Sequence, residues 1–223
     1  MSSTIGSRLA YQSAKEAINR AGYSVNTAVL SQSYLRLEQS LSASKTVFNF
    51  PILVNDSSTG SAFNTEVRLN LQDAFCVSSA ALYFCVPSST TATNFALNTY
   101  PNTTVFSSSN TATSLYTWYN GFASITINNR QIVPAFNLGR FLDVPQTQQA
   151  ANADYTSSGI TVKDQQKGDD TAYCPIEPMW VFSGSKQNQI QITLPGTMAA
   201  IETNSRAVLI FSGHLAQNVS SIR

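Results

Sequence analysis

The sequence predicts an all-β protein with a helical amino-terminal arm, and three observations carry that expectation. From residue 45 onward apolar side chains recur at every second position, in short runs separated by Gly, Pro, Asn and Ser, which is the period of strands. Before residue 45 they recur every three or four positions, the period of a helix. Charge is also scarce: 11% of the 223 residues are Asp, Glu, Lys or Arg, against about 25% in an ordinary soluble domain. Ser, Thr, Asn and Gln take the positions that charge leaves.

The arm, residues 1–45, reads as two helical segments. Tyr11, Ala14, Ile18, Ala21 and Val25 follow one helical stripe, and Leu30, Tyr34, Leu37 and Leu41 follow a second; "AGYSVN" between them, with Gly22 and Ser24, reads as a break and a new cap. Arg8, Lys15, Arg20, Arg36 and Lys45 stand against Glu16 and Glu38, a net +3 for the arm, so that residues 46–223 carry eight basic and ten acidic side chains. The basic excess is segregated into the arm.

Eight runs then read as strands: 45–54, 63–71, 75–86, 123–128, 130–136, 178–184, 188–194 and 206–213. "ITINNRQIV" sets Asn128 and Asn129 between two of them as a two-residue hairpin, because Asn tolerates positive φ. "SLYTWYNGFA" (114–123) is a short helix or strand ahead of an Asn120-Gly121 turn. Stretches 87–114 and 145–173 are too long for hairpin loops, and connections of that length are usually functional or disordered. Eight strands with few helices between them exclude βαβ units and predict an eight-stranded antiparallel jelly-roll sandwich over residues 46–223. The immunoglobulin alternative lacks its Cys–Trp–Cys spacing.

Motifs that would carry site chemistry are sparse. No H-E-x-x-H, G-x-G-x-x-G, P-loop or G-x-S-x-G pattern occurs, and the single histidine, His214, has no nucleophile elbow to serve. Asp164, Asp169 and Asp170 sit among Lys163 and Lys167 without calcium-loop spacing; Asp73, Asp143 and Glu177 are scattered rather than paired as a glycosidase requires. No catalytic, metal or cofactor residue is expected, and no small-molecule substrate. Cys76, Cys85 and Cys174 form no C-x-x-C pair and are expected to be buried thiols, with Cys76 and Cys85 on opposite faces of one strand by their odd separation. The sequons at Asn55, Asn102 and Asn218 are chance matches in so Ser/Thr/Asn-rich a chain. With no secretory signal and no apolar run near the roughly 18–20 residues of a membrane span, the chain is expected to be made without export.

Two features point to association. "QNQIQITL" alternates Ile190, Ile192 and Leu194 with Gln189, Gln191 and Thr193, an outer strand face without charge. Neutral polar groups are cheaper to desolvate than Lys or Glu, so such a face suits a surface that neighbours cover. Met179, Trp180, Val181 and Phe182 are apolar on both faces of one strand, so the second face meets the arm or another subunit. Tyr116, Trp118, Tyr119 and Phe122 read as core packing, with a sugar-stacking face as the alternative.

A basic, partly helical arm ("SRLAYQSAKEAINRAGYSVNTAVLSQSYLRLEQSLSASK"), an eight-strand β domain with long Ser/Thr/Asn loops, and the late pair "NQIQITLPGT" and "RAVLIFSG" together resemble jelly-roll viral capsid proteins. Within that group the chain is most similar to small capsid proteins of tailless icosahedral bacteriophages. The resemblance implies a virion protein that self-assembles into an icosahedral shell around the genome. Leu30, Tyr34, Leu37 and Leu41 would clamp a neighbouring copy, and Arg8, Lys15, Arg20, Arg36 and Lys45 would face genome nucleic acid or an internal membrane. Other copies and other virion proteins are the implied partners, made in the host cytoplasm, and removal of residues 1–45 is expected to leave the β domain folded. The arm is less densely Arg/Lys-rich than in many such proteins. A carbohydrate-binding or adhesive β-sandwich and a minor vertex or spike protein are the competing expectations.

Overall fold

A computed structural model describes residues 3–54, 68–90, 92, 95–101, 105–106, 109–144 and 172–221. In chain order the elements are α1 (Ser3–Arg20), β1 (Tyr23–Ser24), β2 (Val29–Ser40), β3 (Val47–Val54), β4 (Arg68–Leu69), β5 (Ala74–Cys85) and α2 (Ser109–Tyr119). There follow β6 (Phe122–Ile127), β7 (Arg130–Asn137), a 3₁₀ turn (Leu138–Phe141), β8 (Cys174–Ser183), β9 (Asn188–Thr193), β10 (Arg206–Gln217) and β11 (Ser220–Ser221). The chain is mostly β. One sheet runs β2-β10-β5-β8, all antiparallel; the other runs β3-β9-β6-β7, also antiparallel, with β4 added in parallel beside β3. We call these sheet 1 and sheet 2.

The long strands pair like a nested hairpin. β2 pairs with β10, β3 with β9, β5 with β8 and β6 with β7, so successive pairs close inward from the chain ends to the β6–β7 turn. That turn is Asn128–Asn129, with φ of 49° and 60°, the left-handed conformation a two-residue hairpin demands. The two sheets share one apolar core, in which Leu35, Leu37, Phe75, Leu82, Leu209 and Phe211 of sheet 1 meet Phe48, Phe50, Ile125, Ile190 and Ile192 of sheet 2.

The second half of the predicted arm is a strand. Leu30, Tyr34, Leu37 and Leu41 have helical spacing, yet residues 29–40 pair with β10 over twelve consecutive positions. The period-two signal was Leu35 beside Leu37: both are buried in the shared core, whereas Leu30 packs on the opposite face. β2 thus replaces the predicted strand 63–71, of which only Arg68–Leu69 is a described strand; residues 63–67 lie outside the described residues, as do 145–171. The arm proper is α1, and removal of residues 1–45 would strip β10 of its partner strand rather than spare the β domain.

β5 and β10 are buried on both faces. Toward one end of sheet 1, α1 lays Ala14, Ala17 and Ile18 over Ala74, Cys76, Ala216, Met179 and Val181. Toward the other end, Phe95, Leu97, Ala172 and Tyr173 cover Ala81, Tyr83, Cys85, Val208 and Ile210. The arm therefore meets the second face of Met179 and Val181, one of the two covers their two-sided apolarity required.

A bulge sets which β5 residues face which way. Ser79 registers with Ser212 and Val77 with Gly213, leaving Ser78 as the extra residue, its hydroxyl donating to the Ser212 carbonyl at 3.0 Å. The bulge inverts parity, so Phe75 and Val77 share the core face with Ala80, Leu82 and Phe84. Cys76 and Cys85 consequently share the outer face, contrary to their odd separation. Gly213 lies opposite the bulge, where a Cβ would stand 1.9 Å from the Cys76 carbonyl oxygen.

Two outcomes follow from this packing. Gly213→Ala forces the β5–β10 ladder apart and is expected to cost about 3 kcal/mol, read as a lowered urea midpoint. All three cysteines are buried, and burial pushes the Cys76 and Cys85 thiols up to about 12. The native protein should therefore resist a thiol reagent, and deletion of residues 2–21 should make Cys76 reactive while Cys85 stays silent; a Cys76 that stays unreactive would mean that α1 does not cover it.

Candidate assembly interface

Sheet 2 turns alternate side chains away from the core. Since Phe48, Phe50, Ile190, Ile192, Ala123 and Ile125 point inward, the pleat directs Val47, Asn49 and Pro51 of β3, Gln189, Gln191 and Thr193 of β9, and Phe122, Ser124 and Thr126 of β6 outward. The register aligns them in three cross-strand rows: Val47–Thr193–Phe122, Asn49–Gln191–Ser124 and Pro51–Gln189–Thr126. None of the nine carries charge. Asn49 Oδ1 accepts from Gln189 Nε2 at 3.1 Å and from Gln191 Nε2 at 3.0 Å, so the amides form a fixed network rather than independent rotors. Val47 and Phe122 are each 41% exposed at one end of the patch. Asn49 and Pro51 are exposed as well, Thr126, Gln189, Gln191 and Thr193 are half-buried, and Ser124 in the middle row is buried.

The residues expected to clamp a neighbour do not form one surface. Leu37 is in the shared core and Leu41 packs against it, while Leu30 packs under the α1 cluster and Tyr34 is 49% exposed. Leu30 and Tyr34 remain together on the outer face of β2.

The basic residues separate as well. Arg8 lies on α1; Lys15 and Arg20 are exposed there, Arg20 paired with Glu16 at 3.3 Å; Lys45 is exposed before β3. Arg36 is engaged within its own chain. Its guanidinium meets Glu38 at 2.6 Å, Glu38 also receives Arg206 at 3.1 Å, and both arginines lie against the Phe95 ring at 5.6 and 5.8 Å. Arg206 further donates to the Thr90 carbonyl. This cluster pins the segment after β5 onto sheet 1, where Arg36 is unsuited to grip an external polyanion. No local pattern signals it, because Glu38 and Arg206 are 168 residues apart.

The aromatic segment is helix α2, and Trp118 is fully buried, 4.7 Å from Phe48 and 5.6 Å from Phe84 between ring centroids. Tyr119 is buried too and donates to the Thr99 carbonyl at 2.9 Å. Trp118 therefore cannot stack on a sugar. Asp73 is buried and holds a turn, accepting from Asn70 Nδ2 at 2.9 Å and from the Asn218 amide at 3.3 Å. Asp164, Asp169, Asp170, Asn55 and Asn102 lie outside the described residues. Among the described residues no three His, Cys, Asp or Glu side chains gather as a metal site needs, and no helix is long and apolar enough to cross a membrane. Searches against protein-family models, curated proteins and solved structures found no match for this chain.

His214 lies on β10 between Gln32 of β2 and Cys76 of β5, with Nδ1 buried and unpartnered among the described residues. Burial holds its pKa below the usual value. The unfolded chain then takes up the proton first, so His214 favours folding above about pH 6.5 and opposes it increasingly as pH falls. Thermal melts from about pH 7 to about pH 5 should show a smaller loss of Tm in His214→Gln than in wild type; parallel curves would remove His214 from the acid response.

Proposed function

We propose that this chain is a structural protein of a virion, a jelly-roll subunit that self-assembles into an icosahedral shell enclosing the genome. The observation that carries the reading is the uncharged outer face of sheet 2. A flat, pre-organised amide and hydroxyl surface with apolar Val47 and Phe122 at its margin can be desolvated against another copy without burying an unpaired charge. Near-zero net charge, +1 overall, adds little repulsion between copies.

The nested strand order supports the jelly-roll sandwich. Rolling a ribbon of four nested pairs so that alternate pairs fall in opposite sheets gives β2-β10-β5-β8 facing β3-β9-β6-β7, with β2·β10 and β5·β8 in one layer and β3·β9 and β6·β7 in the other. In such a block the arm's own packing on sheet 1 stiffens the subunit, and the exposed basic groups of α1 and Lys45 are the ones left for nucleic acid or a lipid headgroup layer. The carbohydrate-binding alternative loses its principal residue with the burial of Trp118. A vertex or spike role shares the fold and differs in copy number per particle.

Light scattering coupled to size exclusion, with negative-stain images of any early peak, tests the reading on the full-length protein. Closed particles or regular sheets are expected. Gln189→Lys with Gln191→Lys places two charges on the open face and should abolish them, while Tm moves by no more than about 2 °C because the sites are at the surface. A wild-type protein that stays monomeric at all concentrations, or a double variant that assembles as wild type does, would contradict the proposal.

A further inference from the structure

Sheet edges offer unpaired backbone donors and acceptors, and proteins guard them with proline, charge, bulges or cover. Among the described residues three of the four edges of sheets 1 and 2 are guarded. β8 carries Pro175, Glu177 and Pro178; β7 carries Arg130 and Pro134 and pairs irregularly with β6; β3 carries Pro51 and is partly covered by β4. β2 is different. It has no proline, its ladder to β10 is unbroken over twelve residues, and among the described residues no strand lies on its other side. Its charges, Arg36 and Glu38, are confined to one end and engaged in the cluster with Arg206, leaving Val29–Leu35 uncharged, with Val29 61% exposed and Tyr34 49% exposed.

We propose that β2 is a pairing edge for β2 of a second copy, antiparallel across a twofold axis centred on Gln32. A twofold perpendicular to the sheet keeps each residue on its own face, so opposed residues must share parity. Leu30, Gln32 and Tyr34 share the outer face, because Leu30 packs outward with the α1 cluster while Leu35 and Leu37 point into the core. Centring on Gln32 sets Leu30 against Tyr34 of the other copy, Gln32 against itself, and Ser31 against Ser33 over a seven-residue overlap, Val29–Leu35. Beyond it Arg36 stands across from Ala28 and Glu38 across from Asn26, so no like charges are opposed. That self-complementarity is what selects a second copy as the occupant. The result is a continuous eight-stranded sheet through two subunits, and it joins Leu30 and Tyr34 in one contact. The pairing rests on the shell reading only in taking self-association as the chain's business.

Gln32→Cys reads the axis directly. Directly opposed residues have Cα separations of about 4.5 or 5.5 Å, within disulfide range, and the three native thiols are buried. Mild oxidation of full-length Gln32→Cys should give a disulfide dimer, whereas Ser40→Cys, whose counterpart in this register is residue 24, should not. Gln32→Glu and Gln32→Lys should each weaken the dimer about tenfold by opposing like charges, and an equimolar mixture should restore it. Equal cross-linking of the two cysteine variants, no cross-linking of either, or charged variants that dimerise as wild type would overturn the pairing. Wild-type particles without a Gln32→Cys cross-link overturn this edge and leave the shell reading standing; cross-linked dimers from a chain that never builds particles do the reverse.

Discussion

The ladder of β2, β10 and β5 holds both ends of the chain to its middle. β10, close to the carboxyl end, pairs along its whole length with β2 from the beginning of the chain and with β5 from its middle. Bringing such distant segments together costs loop-closure entropy before any contact is made. The offsetting gain is burial on both faces, since β5 and β10 are covered by the shared core on one side and by α1 and the Phe95–Leu97 and Ala172–Tyr173 segments on the other. The Arg36–Glu38–Arg206 cluster then fixes the second of these covers at the sheet edge. In this cluster charge holds the chain to itself.

This division leaves the two sheets with different surfaces. Sheet 1 uses its outer face internally, so its apolar side chains are satisfied within one subunit. Sheet 2 turns amides, hydroxyls and a few apolar groups outward, with Val47, Asn49, Pro51 and Phe122 the most exposed of them. Lys and Glu on such a face would oppose close approach of a like surface, whereas amides can exchange water for one another at modest cost. The low charge content of the whole chain is expressed clearly across β3, β9 and β6.

Much of this arrangement was legible from spacing. Alternation and short apolar runs located β3, β5, β6, β7, β9 and β10, and Asn128–Asn129 announced its turn because few residues other than Asn and Gly accept that conformation. The two-faced run Met179–Phe182 required a second cover, and α1 supplies it over Met179 and Val181. Three features were hidden for physical reasons. Leu30, Tyr34 and Leu37 lie on two faces of β2, with Leu41 just beyond its end, yet the four coincide with a helical stripe, and only partners on β10 decide between the periods. The bulge at Ser78 arises from how β5 meets β10 and β8, so the facing of Cys85 could not be counted from Cys76. "SLYTWY" carries aromatics that suit strand or helix, and packing of Trp118 between Phe48 and Phe84 selects the helix.

On the proposed function, the uncharged face of sheet 2 becomes covered by other copies. Hydroxyl-radical footprinting of the full-length protein, across concentrations spanning association, measures that cover side chain by side chain. Protection of Val47, Pro51 and Phe122 that grows with association, with exposed Tyr11 of α1 unchanged, is the result this account predicts. Equal oxidation of the three residues in dispersed and associated protein would contradict it.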